Sequence, residues 1–473
     1  MEEQRRLSRG RFLRLSAMTA GGLVLAGCSI EEGGGGPPGS GGGGGEDVDI
    51  SKIQAGQNAE LEKLAEDWKP YDGEPVEISV WMYPQDQESL KAYKKAFEKK
   101  YSNITVKYVT YPEDNYITKV NVALQAHNPP DLAVMEERAW MKAGLVADLS
   151  QFYRAWGISV EDFAPGGVAR FTLEDGPKQG IFGVGDFLGA NFVVYNKDLF
   201  DQAGVDYPPL ERSLEWSEYA EICRNVAQPS SDPNKRVYGG TAPEWGFAIW
   251  GKWIWGPDGR QAIGNLNSED EVEAWNLGTA LVRDKVAPSG QLVETVTEPD
   301  LFTEKRIAMT WTDFTFAEDY EAAGIDFGLA PWQVIRGSES FVDTWTAPWG
   351  TFIESKNSHA ALTFLQFLGT DAQRIRARVS SDPPLSLKVA RDIEWSGGDP
   401  IREEYLKVLE TAAKPQVWIP PLPEGAYDPA EIYNKMTVQG ETDAGPILDE
   451  VAKKTQPLLE QAWKSWEALE RRG

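Results

Sequence analysis

Between Val76 and Met135 the sequence spells strand, helix, strand, helix, strand, a succession that few architectures accommodate. Val76–Met82 (VEISVWM) alternates apolar and polar residues with period two, as a strand with one inward face does. Asp86 to Ser102 then places Leu90, Tyr93, Phe97 and Tyr101 at spacings of 3, 4 and 4, one apolar stripe of a helix. Ile104–Val109 alternates again, and Tyr116–Ala126 reads as a second helix, stopped by Asn128-Pro129-Pro130. Asp131–Met135 is a short third strand, apolar on both faces after the aspartate. Such a run predicts an α/β fold with a mostly parallel sheet covered by helices on both faces. Ligands of such sheets bind beyond the carboxyl ends of the strands, here Trp81–Asp86 and Glu136–Trp140.

The first 49 residues contain no such pattern. Arg5–Arg14 is basic, Leu15–Gly27 is apolar or small, and Leu25-Ala26-Gly27-Cys28 follows. That is the layout of a signal peptide over residues 1–27, with an apolar stretch too short to span a bilayer. The last four residues resemble the lipobox of bacterial lipoproteins, which implies acylation at Cys28; an ordinary secreted protein with a chance cysteine is the alternative. Ser8–Arg14 also resembles a twin-arginine export signal, but Gly10 stands where the second arginine belongs, so both export routes stay open. Residues 28–49, rich in glycine, proline and serine, form a flexible tether between anchor and body. The expected location is the outer face of the cytoplasmic membrane, held by lipid alone.

Charge and rare residues narrow the function. The formal net charge is −26, and removing the signal region, with its five arginines and two glutamates, leaves about −29. So acidic a chain is a poor partner for nucleic acid or anionic lipid. Cys28 and Cys223 are the two cysteines, so lipidation at Cys28 leaves no intrachain disulfide. The two histidines, His127 and His359, sit near neither each other nor a cysteine, so no metal site and no cofactor is expected. Gly246–Lys252 spells G-x-x-x-x-G-K, but Trp253 replaces the Ser or Thr and the intervening residues are too bulky for a phosphate cradle.

Three stretches carry a family resemblance: NPPDLAVMEERAWMKAGLVADLS (Asn128–Ser150), ANFVVYNKDLFDQAGVDYPP (Ala190–Pro209) and WGTFIESKNSHAALTFLQFLGTDAQRIR (Trp349–Arg376). In this order the chain resembles the extracellular sugar-binding proteins of ABC importers, family 1, the maltose-binding type. The resemblance implies a two-lobed periplasmic-binding-protein-like fold with a hinge of crossing strands and a ligand cleft between the lobes. It places lobe 1 at residues 74–190 and 330–378 and lobe 2 at 191–329 and 379–473. It further implies a monomer that takes up a sugar without catalysis and hands it to ABC permease subunits.

The resemblance also assigns candidate ligand-binding residues. Tyr83 and Asp86 follow the first strand, where family members contact ligand; Asp86 equally suits a helix N-cap. Glu136 and Glu137 follow the third strand, where a family carboxylate accepts sugar hydroxyls, and a solvated turn is the alternative. Asn191 stands at the hinge, either on ligand or fixing the crossing strand. Glu244-Trp245 pairs a carboxylate with a stacking aromatic, the combination a sugar requires. Trp250, Trp253 and Trp255, at spacings of 3 and 2, read better as packing. Trp311 and Asp313 follow Ala308-Met309, where the family places a cleft aromatic, and Trp349 belongs to a segment at the cleft mouth. Carboxylates beside indoles would also suit a polyamine in the same fold, or a secreted glycoside hydrolase, which needs two carboxyls at a defined separation.

Overall fold

A computed structural model describes Ile53 and residues 59–173, 179–242, 254–293, 295–414, 419–420, 422–423 and 425–470. Its elements, in chain order, are β1 (Val76–Met82), α1 (Gln87–Lys100), β2 (Ile104–Thr110), α2 (Glu113–Gln125), β3 (Leu132–Val134) and α3 (Arg138–Lys142). There follow β4 (Gly189–Asn196), α4 (Trp216–Val226), α5 (Glu269–Arg283), β5 (Met309–Asp313), β6 (Phe327–Ala330), β7 (Val342–Trp345) and β8 (Trp349–Gly350). The chain ends with α6 (Ser358–Gly369), α7 (Asp371–Val379), α8 (Pro400–Ala412), β9 (Ala413–Lys414) and α9 (Gly445–Glu470). Shorter elements connect these.

Two sheets organise the elements. The first has strand order β8-β3-β1-β2, with β1 parallel to both β2 and β3 and β8 antiparallel to β3. The strand–helix alternation therefore builds the parallel layer expected of it. Leu90, Tyr93 and Phe97 of α1 are buried against it, and Phe97 lies edge-on to Phe364 and Phe367 of α6 at 4.8 and 5.3 Å. The second helix starts three residues earlier than its apolar pattern, because Glu113 and Asp114 occupy a first turn whose free N–H groups favour acids.

Asp131 explains two of the quoted motifs together. Its carboxylate is 7 % exposed; one oxygen accepts from the Ser79 N–H (2.8 Å) and Oγ (3.1 Å) of β1. The other accepts from Ser355 Oγ (3.0 Å) and the Asn357 N–H (3.2 Å), and Lys356 Nζ donates to Asn128 Oδ1 at 2.6 Å. The NPPD and SKN stretches, more than 200 residues apart, thus meet at one buried acid.

The second sheet runs β9-β7-β4-β5, and β6 also pairs with β4. β4 is antiparallel to β5 on one edge; on the other it pairs β7 along its first half and β6 along its second. The alternate residues Phe192 and Val194 are buried in the same core as the first sheet, Phe192 against Tyr405 at 4.8 Å. A second core gathers Val193, Tyr219, Trp275, Trp332 and Leu448. α9 belongs to both. Leu448 and Leu459 enter the second core, whereas Trp466 and Leu469 enter the first, with Lys142 Nζ 5.2 Å from the Trp466 ring. Cys223 is buried, and among the described residues no helix is long and apolar enough to cross a membrane.

Replacing Asp131 with Ala orphans the Ser79 N–H, leaves the Asn357 N–H only its 3.3 Å bond to Ser355 Oγ, and empties the junction. A destabilisation of more than about 3 kcal/mol is expected, since several charge-assisted bonds are lost at once. Denaturant unfolding reads it as a lower midpoint at unchanged slope.

Candidate functional site

The carboxyl ends of β1 and β3 bring Tyr83 and Glu136 together. Tyr83 Oη donates to Glu136 Oε2 at 3.1 Å, and Arg170 donates to Glu136 Oε1 at 3.1 Å. Burial, and then the Glu136 carboxylate, hold the Tyr83 phenol well above its ordinary range, so it is a proton donor at neutral pH. Glu137 is the N-cap of α3, accepting from the Ala139 N–H at 2.9 Å, and burial raises its carboxyl. Burial and then Glu136 also raise Glu113. Arg138, the other cation of this loop, turns its guanidinium to the Ala169 and Thr172 carbonyls.

Asp86 is the N-cap of α1, accepting from the Glu88 N–H at 3.1 Å. Its other oxygen also lies 3.4 Å from Arg376, a guanidinium buried with Asp186 and Asp382. Trp349 points into the same knot: its indole, 3 % exposed, donates to Asp186 at 2.9 Å.

A second polar group lies on β4. Residues directly opposite each other in paired strands share a face. Asn191 lies opposite Asp313 on β5 and opposite Asp343 on β7, so carboxylate, amide and carboxylate form one row across three strands. All three are only partly buried, although most of their strand neighbours are buried. Asn191 Nδ2 donates to Asp343 at 3.4 Å. Two residues toward the start of β4 on the same face, Gly189 lies opposite Trp345, whose half-buried indole rests against the glycine: a Cβ there would meet the ring at 2.4 Å. Two residues the other way, Val193 lies opposite Trp311, whose ring stacks on Trp332 at 5.5 Å and 9°. Trp332 Nε1 donates to the Asn191 carbonyl at 2.6 Å, and Trp311 Nε1 to Gln333 Oε1 at 2.9 Å. The row is thus bracketed by indole at both ends. A polyhydroxylated ring needs that pairing of flat apolar faces with acceptors.

The sequence candidates therefore fall into three places. Tyr83, Glu136 and Glu137 lie at the end of the first sheet; Asn191, Trp311 and Asp313 lie on the second; Asp86 and Trp349 meet at Arg376. Glu244 and Trp245, with Trp250, Trp253 and Cys28, lie outside the described residues. Trp255, read from its spacing as packing, is 2 % exposed and edge-on to Tyr427 at 5.3 Å. Sequence reading missed Arg170, Asp343, Trp345 and Trp332. The alternation of Val342-Asp343-Thr344-Trp345 after Gly337 was the available signal for two of them. Among the described residues no group of His, Cys, Asp or Glu is arranged to hold a metal ion.

Two measurements follow from this geometry. Gly189→Ala forces the Trp345 indole off the strand; a stability loss of about 1–3 kcal/mol is expected for such overpacking, read by denaturant unfolding, with a changed tryptophan emission. Asp382 supplies a pH test. Burial is the main cause that lifts its carboxyl from the ordinary 3.8 to about 6; Arg376 opposes this, while Asp313 and Asp86 add to it. The native state therefore holds this proton more tightly than the unfolded chain. Its contribution to stability is present at low pH and is lost as pH rises through about 6. Comparing wild type with Asp382→Asn from pH 7 to pH 5, the wild type should gain stability relative to the variant.

Comparison with known proteins agrees with this architecture. The sequence profile of the bacterial extracellular solute-binding proteins matches residues 83–375. An ABC substrate-binding protein of Listeria monocytogenes, solved with cycloalternan, superposes with a TM-score of 0.62 at 19 % identity, over 84 % of this chain and 99 % of that one. The sugar-binding protein MalE of Xanthomonas citri gives 0.64 at 15 % identity, over 83 % and 99 %. The GacH receptor of Streptomyces glaucescens, solved unliganded and with acarbose, gives 0.61 at 18 % identity, over 83 % and 99 %. These likenesses establish the two-lobed fold, and the profile, covering more than half of the sequence, establishes the family. The chain belongs to the bacterial extracellular solute-binding proteins and is a binding protein, not an enzyme.

Proposed function

We propose that this chain captures a sugar or oligosaccharide in the cleft between its two lobes and delivers it to the permease of an ABC importer. One observation carries the reading: the Asp313–Asn191–Asp343 row between the Trp345 indole and the Trp311–Trp332 stack. A sugar C–H face would lie on the half-buried Trp345 indole while hydroxyls donate to the carboxylates, with the buried Trp311–Trp332 stack as the wall at the other end of the row. Tyr83 and Glu136, at the end of the first sheet, would join from the opposite lobe, with Glu244 and Trp245 as further candidates. The cycloalternan and acarbose in the related structures support a carbohydrate ligand. The lobes would follow the two sheets, residues 74–190 and 346–378 on the first and 191–345 and 379–473 on the second, because β7 pairs with β4 and so moves the return crossing from residue 330, where the family resemblance puts it, to 346. Ligand favours the closed arrangement only through contacts that the open one lacks. The acylated Cys28 and the tether at 28–49 would keep a monomeric body at the outer face of the membrane, within reach of the permease.

A cationic ligand such as a polyamine is the second reading. It is favoured by Glu113 and Glu137 lying near Glu136, whose carboxylate pairs with one arginine, Arg170.

A thermal-shift series with cycloalternan, acarbose, mannotriose and spermidine separates the two. A sugar at a hundred times its Kd stabilises the fold by about 2.7 kcal/mol. A rise with at least one sugar and none with spermidine is expected, and Trp345→Ala should weaken that sugar about tenfold or more, the scale of one lost stacking contact. A rise with spermidine alone would contradict the sugar reading.

A further inference from the structure

We propose that Arg376 is a positioning residue: its buried guanidinium pins the three segments that join the two sheets to Asp86 at the ligand end of α1. The inference rests on the sugar-binding reading only for the ligand side of its test.

The chain passes between the sheets through residues 183–189 before β4, residues 346–348 between β7 and β8, and the stretch from α7 to β9. The first and third reach one side chain, that of Arg376, directly, and the second reaches it through Asp186. Asp186, in the first segment, lies 3.9 Å from the guanidinium, and the neighbouring Phe187 ring lies 4.6 Å beneath it. Trp349, at the end of the second, is joined through Asp186, to which its indole donates. Asp382, at the start of the third, accepts from Arg376 at 2.7 Å. Asp86 completes the set at 3.4 Å, and Tyr93 of α1 donates to Asp186 at 2.8 Å. Three carboxylates thus face one cation that is 5 % exposed, and the planar fork of arginine presents several N–H groups in fixed directions to them.

The backbone repeats the convergence. Gln373, one turn earlier on α7, donates to the Gly185 carbonyl at 2.8 Å and accepts from the Ser386 N–H at 3.0 Å. The Leu188 N–H donates to the Pro383 carbonyl at 3.1 Å, and Val184 and Trp349 exchange two backbone bonds of 2.8 Å. The connections therefore move together or not at all. A group that sets their relative placement sets where the Asp313–Asn191–Asp343 row stands with respect to Tyr83, Glu136 and Asp86.

The test uses the full chain and two variants. Arg376→Lys keeps the charge and removes the fork. Arg376→Gln combined with Asp382→Asn balances the charge, so a folding failure of one variant leaves the other informative. Hydrogen–deuterium exchange is read at 183–189, 346–350 and 380–386 and, as reference, at β2. Exchange in the three segments should rise together by about tenfold or more while β2 stays protected, because local opening frees only the pinned unit. Affinity for the sugar that binds wild type among cycloalternan, acarbose and mannotriose should fall by a similar factor, with the melting temperature of Arg376→Lys nearly retained. Unchanged exchange, or an equal rise in β2, would overturn the pin. Loosened segments with unchanged sugar affinity would overturn the positioning role. Should none of the sugars bind wild type, the sugar reading and the ligand side of the pin both fail, and exchange alone decides whether Arg376 holds the segments.

Discussion

The fold depends on the burial of β4 on both faces and both edges. A strand so enclosed must satisfy every backbone group in place, because an unpaired buried N–H or C=O carries a penalty of about 1–3 kcal/mol. β5, β6 and β7 do this, each antiparallel. One face of β4 then belongs to the core of the first sheet through Phe192 and Val194, while Val193 on the other enters the second core. The strand is shared structure between two bodies. It also gives polar residues a rigid place at a junction.

Asn191 occupies that place. A carboxamide between two carboxylates donates to one of them, Asp343, and keeps the two from facing each other directly, so the row can hold two acids where hydrophobic burial alone would exclude them. The cores hold other acids by comparable means. Asp131 is satisfied by Ser79, Ser355 and Asn357, and Asp186 by Tyr93 and Trp349. Each joins chain segments distant in sequence. The buried acids are thus the fasteners between layers, and the partly exposed ones beside β4, Asp313 on β5 and Asp343 on β7, are those left to meet a solute.

Local pattern made much of this legible. The alternation at Val76–Met82 and the stripe Leu90–Tyr93–Phe97 define β1 and α1, since period two and period 3.6 reflect burial on one face. The family resemblance gave the two-lobed arrangement. Long-range pairing was not legible. Asp343 and Trp345 join the row only because β7 lies beside β4, about 150 residues away in sequence. Trp349 reads by family resemblance as a ligand contact at the cleft mouth until its indole is seen on Asp186. Arg376, one of three arginines within five residues, shows no sign in the sequence of being the one that is buried. In each case a partner chosen by topology decides whether a polar or aromatic residue is structural or available.

The central claim is that solute lies against β4, its hydroxyls on the Asp313–Asn191–Asp343 row and its ring faces on indole. A crystal structure grown with a sugar that raises the melting temperature tests it directly. The account predicts sugar oxygens within about 3.2 Å of the Asp313 or Asp343 carboxylate, the usual hydrogen-bond range, and a pyranose face stacked on Trp345. Density for that sugar elsewhere on the surface, with the row left to its own internal bonds, would contradict it.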